Sequence, residues 1–340
     1  MCCSDIPVRR LLTTRLWACC CAALLVVSGC ATGDDGTSDP DVAADGGEPD
    51  TGEPDVFVPD APLGYPNTDV VTRIGRDDAL DIATWNIENF PSSSSAPQVV
   101  ADLIASMDLD VVVVEEITDE DAFNEVDDRL PYHHSALSTH TYSDGSSQKL
   151  GVFFRADLLE LDSFSLLFAS AYEFPRPAIR AHFTVKDAAY EPFDFTLLGV
   201  HLKAGTTSED RSRREDANIR LEEFVAGQVS GSADDDVIIL GDFNEVLDTA
   251  SGRNVFAPWL DAPEAYTMHT QRLSDGNEGS FIPGNRLIDH IITTASMTEA
   301  VDGYIARIPR LDDEFSGYEA NISDHLPVVL PVPLVSVAGD

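Results

Sequence analysis

The 340-residue chain is poor in basic residues and has no cysteine where a fold could use one. All six cysteines (Cys2, Cys3, Cys19, Cys20, Cys21 and Cys30) lie at or before position 30, so nothing beyond can be cross-linked or hold a metal through thiolates. Lys and Arg number 21 against 60 Asp and Glu, a formal net charge of −39. Tight, sequence-independent binding to nucleic acid depends on Lys and Arg releasing counterions, so the average field opposes polyanions. A bound divalent cation could reverse that sign locally. Long apolar runs are also missing: Leu16 to Val27 is too short for a good bilayer span, and no second run follows. The composition excludes a wholly disordered chain, because 43% of positions are apolar and the length suffices for one large domain or two ordinary ones.

Arg9, Arg10 and Arg15 give a positive start to the apolar run, and Val27-Ser28-Gly29-Cys30 closes it with small residues before a cysteine. This resembles a bacterial lipoprotein signal with its lipobox. The resemblance implies a signal peptide over residues 1–29, lipid on Cys30, and a mature chain exported and anchored at a bacterial membrane, in the periplasm or at the cell surface. An ordinary secretory signal or an uncleaved anchor is the alternative. Residues 30–62 read as an acidic tether, with ten acids, no base and too few apolar side chains to offset the entropy of ordering. Residues 63–340 are the folding unit and keep 18 bases against 49 acids, a net charge of −31.

Within that unit, apolar or β-branched stretches predict strands at Leu80–Ile87, Asp110–Val114, Leu150–Phe154, Ile179–Val185, Phe193–His201, Val237–Leu240, Leu287–Thr293 and Leu326–Leu330. Two segments have helical spacing: Val99, Leu103, Ile104 and Met107 share a face, as do Ala217, Leu221, Phe224 and Val225 in the segment opened by Ser208 and Glu209. Many strands with helices between them suit one α/β domain better than two.

Polar clusters sit at the strand ends, where a rigid scaffold usually holds catalytic groups. They are Trp85-Asn86-Ile87-Glu88-Asn89-Phe90, Val114-Glu115-Glu116-Ile117, Gly199-Val200-His201-Leu202-Lys203, Gly241-Asp242-Phe243-Asn244 and Ser323-Asp324-His325. In this order, spanning Asp81 to Val329, they resemble the endonuclease/exonuclease/phosphatase superfamily, the DNase I-like group. The resemblance implies a four-layer sandwich, two mixed β-sheets face to face with helices outside, and metal-assisted hydrolysis of a phosphoester at one rim. DNA or RNA would be candidate substrates. A phosphatase, a sphingomyelinase-type hydrolase and a catalytically inert surface module of the same fold are the alternatives.

The residue chemistry agrees, since a hard cation that neutralises phosphoryl oxygens prefers carboxylate and amide oxygen. Asn86, Glu116, Glu88 and Asp324 are the candidate ligands of Mg²⁺, with Mn²⁺ or Ca²⁺ as alternatives. By family register Glu116 is the main ligand, while Glu115 occupies a glutamine position and alternates to the opposite face. The resemblance pairs His325 with Asp289, makes His325 or Asp242 the base, gives Asn244 a phosphate-positioning role, and makes His201 a second acid/base. Gln148 stands where a carboxylate usually partners that second histidine. Arg176 and Lys203 resemble phosphate contacts, and Arg211, Arg213 and Arg214 open a helix where cations oppose the dipole. His133, His134, His140, His182, His269 and His290 fall outside the pattern.

Overall fold

In the computed structural model, residues 64–337 are described, apart from 232–234, 248 and 302. The signal peptide and the tether expected over residues 1–62 lie outside the described residues. Eleven strands follow in order: β1 Ala79–Phe90, β2 Val111–Ile117, β3 His133–Leu137, β4 Lys149–Arg155, β5 Leu159–Leu167, β6 Ala178–Val185, β7 Asp194–His201, β8 Val237–Asp242, β9 Tyr266–Met268, β10 Asp289–Thr294 and β11 Val328–Pro333. They form a five-stranded sheet in the order β11-β1-β2-β4-β3 and a six-stranded sheet in the order β5-β6-β7-β8-β10-β9. Both sheets are mixed. The two parallel pairs, β1 with β2 and β7 with β8, are each joined by a helix, α1 (Ala96–Met107) and α3 (Ser208–Gly231). Between them in the chain lies α2 (Glu120–Arg129).

The central strands read as continuous apolar runs because both of their faces are covered. Val111 to Val114 of β2 and Leu197, Leu198 and Val200 of β7 are all fully buried. Gly199 interrupts the β7 run where neighbouring side chains leave no room: a Cβ there would lie 2.7 Å from Ile179 of the same sheet and 3.0 Å from Val113 of the other. α1 packs Val100, Leu103, Ile104 and Met107 inward, and α3 buries Ala217, Leu221 and Val225 over a second apolar layer against β7 and β8.

All eight expected strands and both expected helices are present. The strands that sequence reading missed, β3, β5 and β9, are sheet edges, where one side of the ladder and often one face meets solvent. α2 was missed because only Ala122, Phe123 and Val126 are buried on an otherwise charged turn, although Asp119 caps it by accepting from Ala122 N–H. Among the described residues, no helix is long and apolar enough to cross a membrane.

Candidate functional site

Three residues far apart in sequence become neighbours through strand register. His201 of β7 lies opposite Asp242 of β8, and Asp242 lies opposite Asp289 of β10. Residues in one such row project to the same face. On the facing sheet, Asn86 of β1 pairs with Glu115 of β2, and the ladder then breaks. At that break Glu116 takes a left-handed φ of 66°, a backbone conformation that costs a non-glycine residue roughly 1 kcal/mol or more. The bulge turns its carboxylate into the gap between the sheets.

The row and the bulge meet in a cleft of about 220 Å³ lined by Asn86, Glu88, Glu116, His201, Asp242, Asn244, Asp324 and His325, among others. Asn86 Nδ2 donates to Asp242 at 3.1 Å and to Glu116 at 3.4 Å, while its Oδ1 accepts from Glu88 N–H at 3.0 Å. His201 Nε2 lies 3.5 Å from Asp242 and 3.7 Å from Glu116. His325 Nδ1 bonds Asp289 at 2.8 Å, and its Nε2 faces Asp324 at 3.8 Å and Asp242 at 4.0 Å. Asn244 N–H donates to Asp242 at 2.8 Å. Among the described residues, eight non-glycine positions have a positive φ, and four of them (Glu88, Asn89, Glu116 and Asn244) line this cleft, so backbone strain concentrates there. Gly241, at φ +146°, supplies the close approach before Asp242, since a Cβ would fall 1.9 Å from Val200 O.

A hydrogen-bonded scaffold holds His325. Buried Trp85 donates to the Tyr318 hydroxyl at 2.9 Å, which in turn donates to His325 O at 2.6 Å. Ser323 Oγ donates to Asn86 O at 2.6 Å and accepts from His325 N–H at 2.9 Å, tying the lead into β11 to the end of β1. Ser280 Oγ donates to Asp289 at 2.6 Å, which fixes the acid behind the histidine.

Burial and crowded negative charge set the protonation states. Burial, then the charge of Asp289, pushes Asp242 up to about 7. Burial opposes a charge on His325, yet Asp289, Asp242 and Asp324 outweigh it and raise the imidazole to about 10. Burial, with Arg176 and His325 nearby, holds His201 well below the ordinary histidine range. Glu88 is raised by burial and then by Asp324, and Asp324 by burial and by Glu116 among its neighbours.

This donor set fits a hard divalent cation. Glu88, Glu116 and Asp324 present carboxylate oxygens at the open side, the chemistry Mg²⁺ selects, and a cation would relieve their mutual repulsion. Among the described residues, the buried trio Asp242, Asp289 and His325 also brings one ligand atom each within 4.8 Å of the others and could hold a metal. In that trio Asp289 Oδ2 is bonded by His325 and Ser280, while its Oδ1 is buried without a hydrogen bond.

A family model described as Endonuclease/Exonuclease/phosphatase family matches residues 83–325. The chain belongs to the endonuclease/exonuclease/phosphatase family. Members of this family are generally phosphoester hydrolases. Its fold is shared with solved structures at low identity. A mannosyl-6-phosphatase of Bacteroides thetaiotaomicron superposes with a TM-score of 0.54 at 19% identity, covering 76% of this chain and 100% of that one. D. rerio TDP2 complexed with single strand DNA product gives 0.54 at 15%, covering 75% and 99%, and the human Nocturnin catalytic domain with bound sulfate gives 0.54 at 13%, covering 76% and 95%. A search of curated protein sequences finds no match.

Of the residues singled out in the sequence, Asn86, Glu88, Glu116, His201, Asp242, Asn244, Asp324 and His325 line the family cleft, with Asp289 directly behind. Arg176 and Lys203 do not reach its wall. Arg176 is buried, donating to Gln148 and, at 3.4 Å, to Leu202 O, whereas Lys203 pairs with Asp210 at 3.1 Å. Gln148 thus serves Arg176 and Asn89 and leaves His201 Nδ1 buried without a hydrogen bond. Arg214 is an interior brace bonded to Glu245 at 2.8 Å, and Arg213 lies 4.2 Å over the Tyr172 ring. Arg286, which sequence reading missed, is the one Lys or Arg lining the cleft among the described residues. A lone loop arginine belongs to no periodic pattern, so only its position three residues before Asp289 could have drawn notice.

Glu115 is wholly buried, accepts from Thr84 Oγ1 at 2.6 Å and is pushed well above the ordinary carboxylate range by burial. The neutral acid is close in shape to the glutamine it replaces in the family pattern. Because its folded proton affinity exceeds the unfolded one, the contribution of Glu115 to stability is full below about pH 4 and is lost as pH rises. Glu115→Gln is therefore expected to raise the urea midpoint at pH 8 by the equivalent of about 1–3 kcal/mol, and less at pH 5, with turnover retained. Equal effects at both pH values would contradict a proton on Glu115.

Proposed function

We propose that this chain is a divalent-metal-dependent phosphodiesterase with nuclease-type chemistry. The observation that carries the reading is the convergence of His201, Asp242 and Asp289 from one sheet with Asn86 and Glu116 from the other, closed by the His325–Asp289 pair. A cation held by Glu116 and Asp324, with Asn86 and Glu88, would offset charge on the phosphoryl oxygens. Asp242, poised near neutrality, accepts the proton of the attacking water. His325 keeps its own proton at neutral pH and donates to a phosphoryl oxygen, with Asp289 fixing the ring. Asn244 lines the cleft beside Asp242 and hydrogen-bonds the phosphate. His201 stays neutral and orients Asp242, a role better suited to its depressed proton affinity than protonating a leaving oxygen.

Apart from Arg286, the cations near the cleft are already paired: Lys203 with Asp210, and Arg211 and Arg214 with Glu245. That pairing, with the acidic surface, favours small diesters over tight binding of DNA or RNA. For the regions at the N-terminus we propose a lipoprotein signal (1–29), a tether (30–62) anchored through acylated Cys30, and the catalytic domain (63–340). Mass spectrometry of the mature N-terminus tests that anchor, and an unmodified Cys30 would remove it.

The test of activity is hydrolysis of bis(p-nitrophenyl) phosphate and p-nitrophenyl phosphate with Mg²⁺, Mn²⁺ or EDTA. Metal-dependent turnover favouring the diester is expected. Preference for the monoester would assign a phosphatase, and no turnover of either would mark an inert module.

A further inference from the structure

Arg286 borders two compartments. One is the catalytic cleft, and the other is an adjoining cavity of about 240 Å³, comparable in size. A short hairpin mounts this arginine on the catalytic apparatus. Phe281 and Arg286 exchange backbone hydrogen bonds at 2.8 and 3.1 Å, Ile282 N–H donates to Asp324 O at 2.8 Å, and Leu326 N–H donates to Ser280 O at 2.7 Å. The guanidinium lies 4.8 Å over the Phe281 ring, whose other neighbour is the His325 imidazole at a centroid distance of 5.0 Å. Arg286 is therefore exposed yet held in register with His325, and no carboxylate pairs with it in an ion pair or hydrogen bond among those described.

The adjoining cavity is polar. Ser274, Asn277, Glu278 and Asn285 line it, offering hydroxyl, amide and carboxylate groups, and it has no aromatic ring on which a flat base could stack. Resting on the phosphodiesterase reading of the cleft, we propose that this cavity is a second subsite for an uncharged, hydroxyl-bearing substituent of the diester, such as a sugar, with Arg286 positioning the phosphate between the two compartments. A guanidinium suits that place because its forked donors bind phosphate oxygens while its face stays on the phenyl ring.

The test compares thymidine 5′-(p-nitrophenyl phosphate), which carries a sugar, with bis(p-nitrophenyl) phosphate, which does not, at saturating Mg²⁺. Ser274→Trp, which fills the cavity, is expected to lower the ratio of kcat/KM for the nucleoside ester to that for the plain diester about tenfold, through KM. Arg286→Ala is expected to raise KM for both substrates about tenfold with kcat within about threefold. An unchanged ratio in a folded Ser274→Trp protein would overturn the subsite. If that variant fails to fold, an unchanged KM in Arg286→Ala does so. A wild-type protein that cleaves neither diester defeats the phosphodiesterase reading itself, a distinguishable outcome.

Discussion

Glu116→Gln is expected to lower kcat/KM for bis(p-nitrophenyl) phosphate about a thousandfold, because charge stabilisation by a metal supplies several kcal/mol and each 1.4 kcal/mol is a factor of ten. The substitution is nearly isosteric. It keeps an oxygen for the Asn89 N–H, now 3.0 Å from Glu116 Oε2, and leaves the bulge at φ 66° undisturbed. Only the charge is lost, at a strand end that adds little to the core, so the melting temperature should move by no more than a few degrees. The Mg²⁺ concentration for half-maximal rate should rise at least tenfold. Activity within threefold of wild type at 1 mM Mg²⁺ would remove Glu116 as a ligand and shift attention to the deeper trio of Asp242, Asp289 and His325.

The same electrostatics explains why an acidic protein can host phosphoester chemistry. The cleft gathers carboxylates from β1, β2, β8 and the lead into β11, and the nearby basic residues other than Arg286 are spent on structural ion pairs. On the proposed reading, the substrate's negative charge would be met by one arginine, one protonated histidine and the cation the carboxylates would hold. Higher salt should consequently raise kcat/KM for a small anionic diester, since it screens the repulsion from the acidic surface.

Much of this arrangement was legible before any coordinates. Buried central strands declare themselves because both faces are covered, which is why β1, β2, β7 and β8 and the acids at their ends could be read directly. Half-buried edges could not: side chains of β3 and β5 need not be apolar, whereas the edge strand β11 is buried and was legible. In the cleft, motif order placed the oxygen and imidazole donors, but it was silent on where cations point. Arg176 and Lys203 follow the family pattern in sequence while Gln148 and Asp210 hold them away from the wall, and Arg286 arrives from an irregular hairpin. A long, flexible side chain goes to its strongest partner, and that partner is fixed by tertiary contacts rather than by neighbours in sequence.

Asp289→Asn separates the proton chemistry from the metal. Its carboxylate bonds His325 Nδ1 at 2.8 Å and is the foremost of the charges that raise the imidazole to about 10 against the opposing effect of burial. With an amide in its place, Asp242 and Asp324 still face the ring, but the proton affinity of His325 should fall toward the ordinary histidine value, visible as a lowered midpoint for its ring signals by NMR in EDTA. Turnover should drop about a hundred- to ten-thousandfold in kcat with KM little changed, the range for a mispositioned proton-transfer group. Stability gives a second reading with a definite sign. A folded-state affinity raised above the unfolded value of about 6.5 stabilises the wild type fully below that pH, and the contribution is lost as pH rises through about 10. The variant should therefore be less stable than wild type at pH 7 and lose less of its stability between pH 7 and pH 10. A His325 titration that does not move, or a kcat within fivefold of wild type, would show that Asp289 braces Ser280 and the strand end without setting the proton on His325.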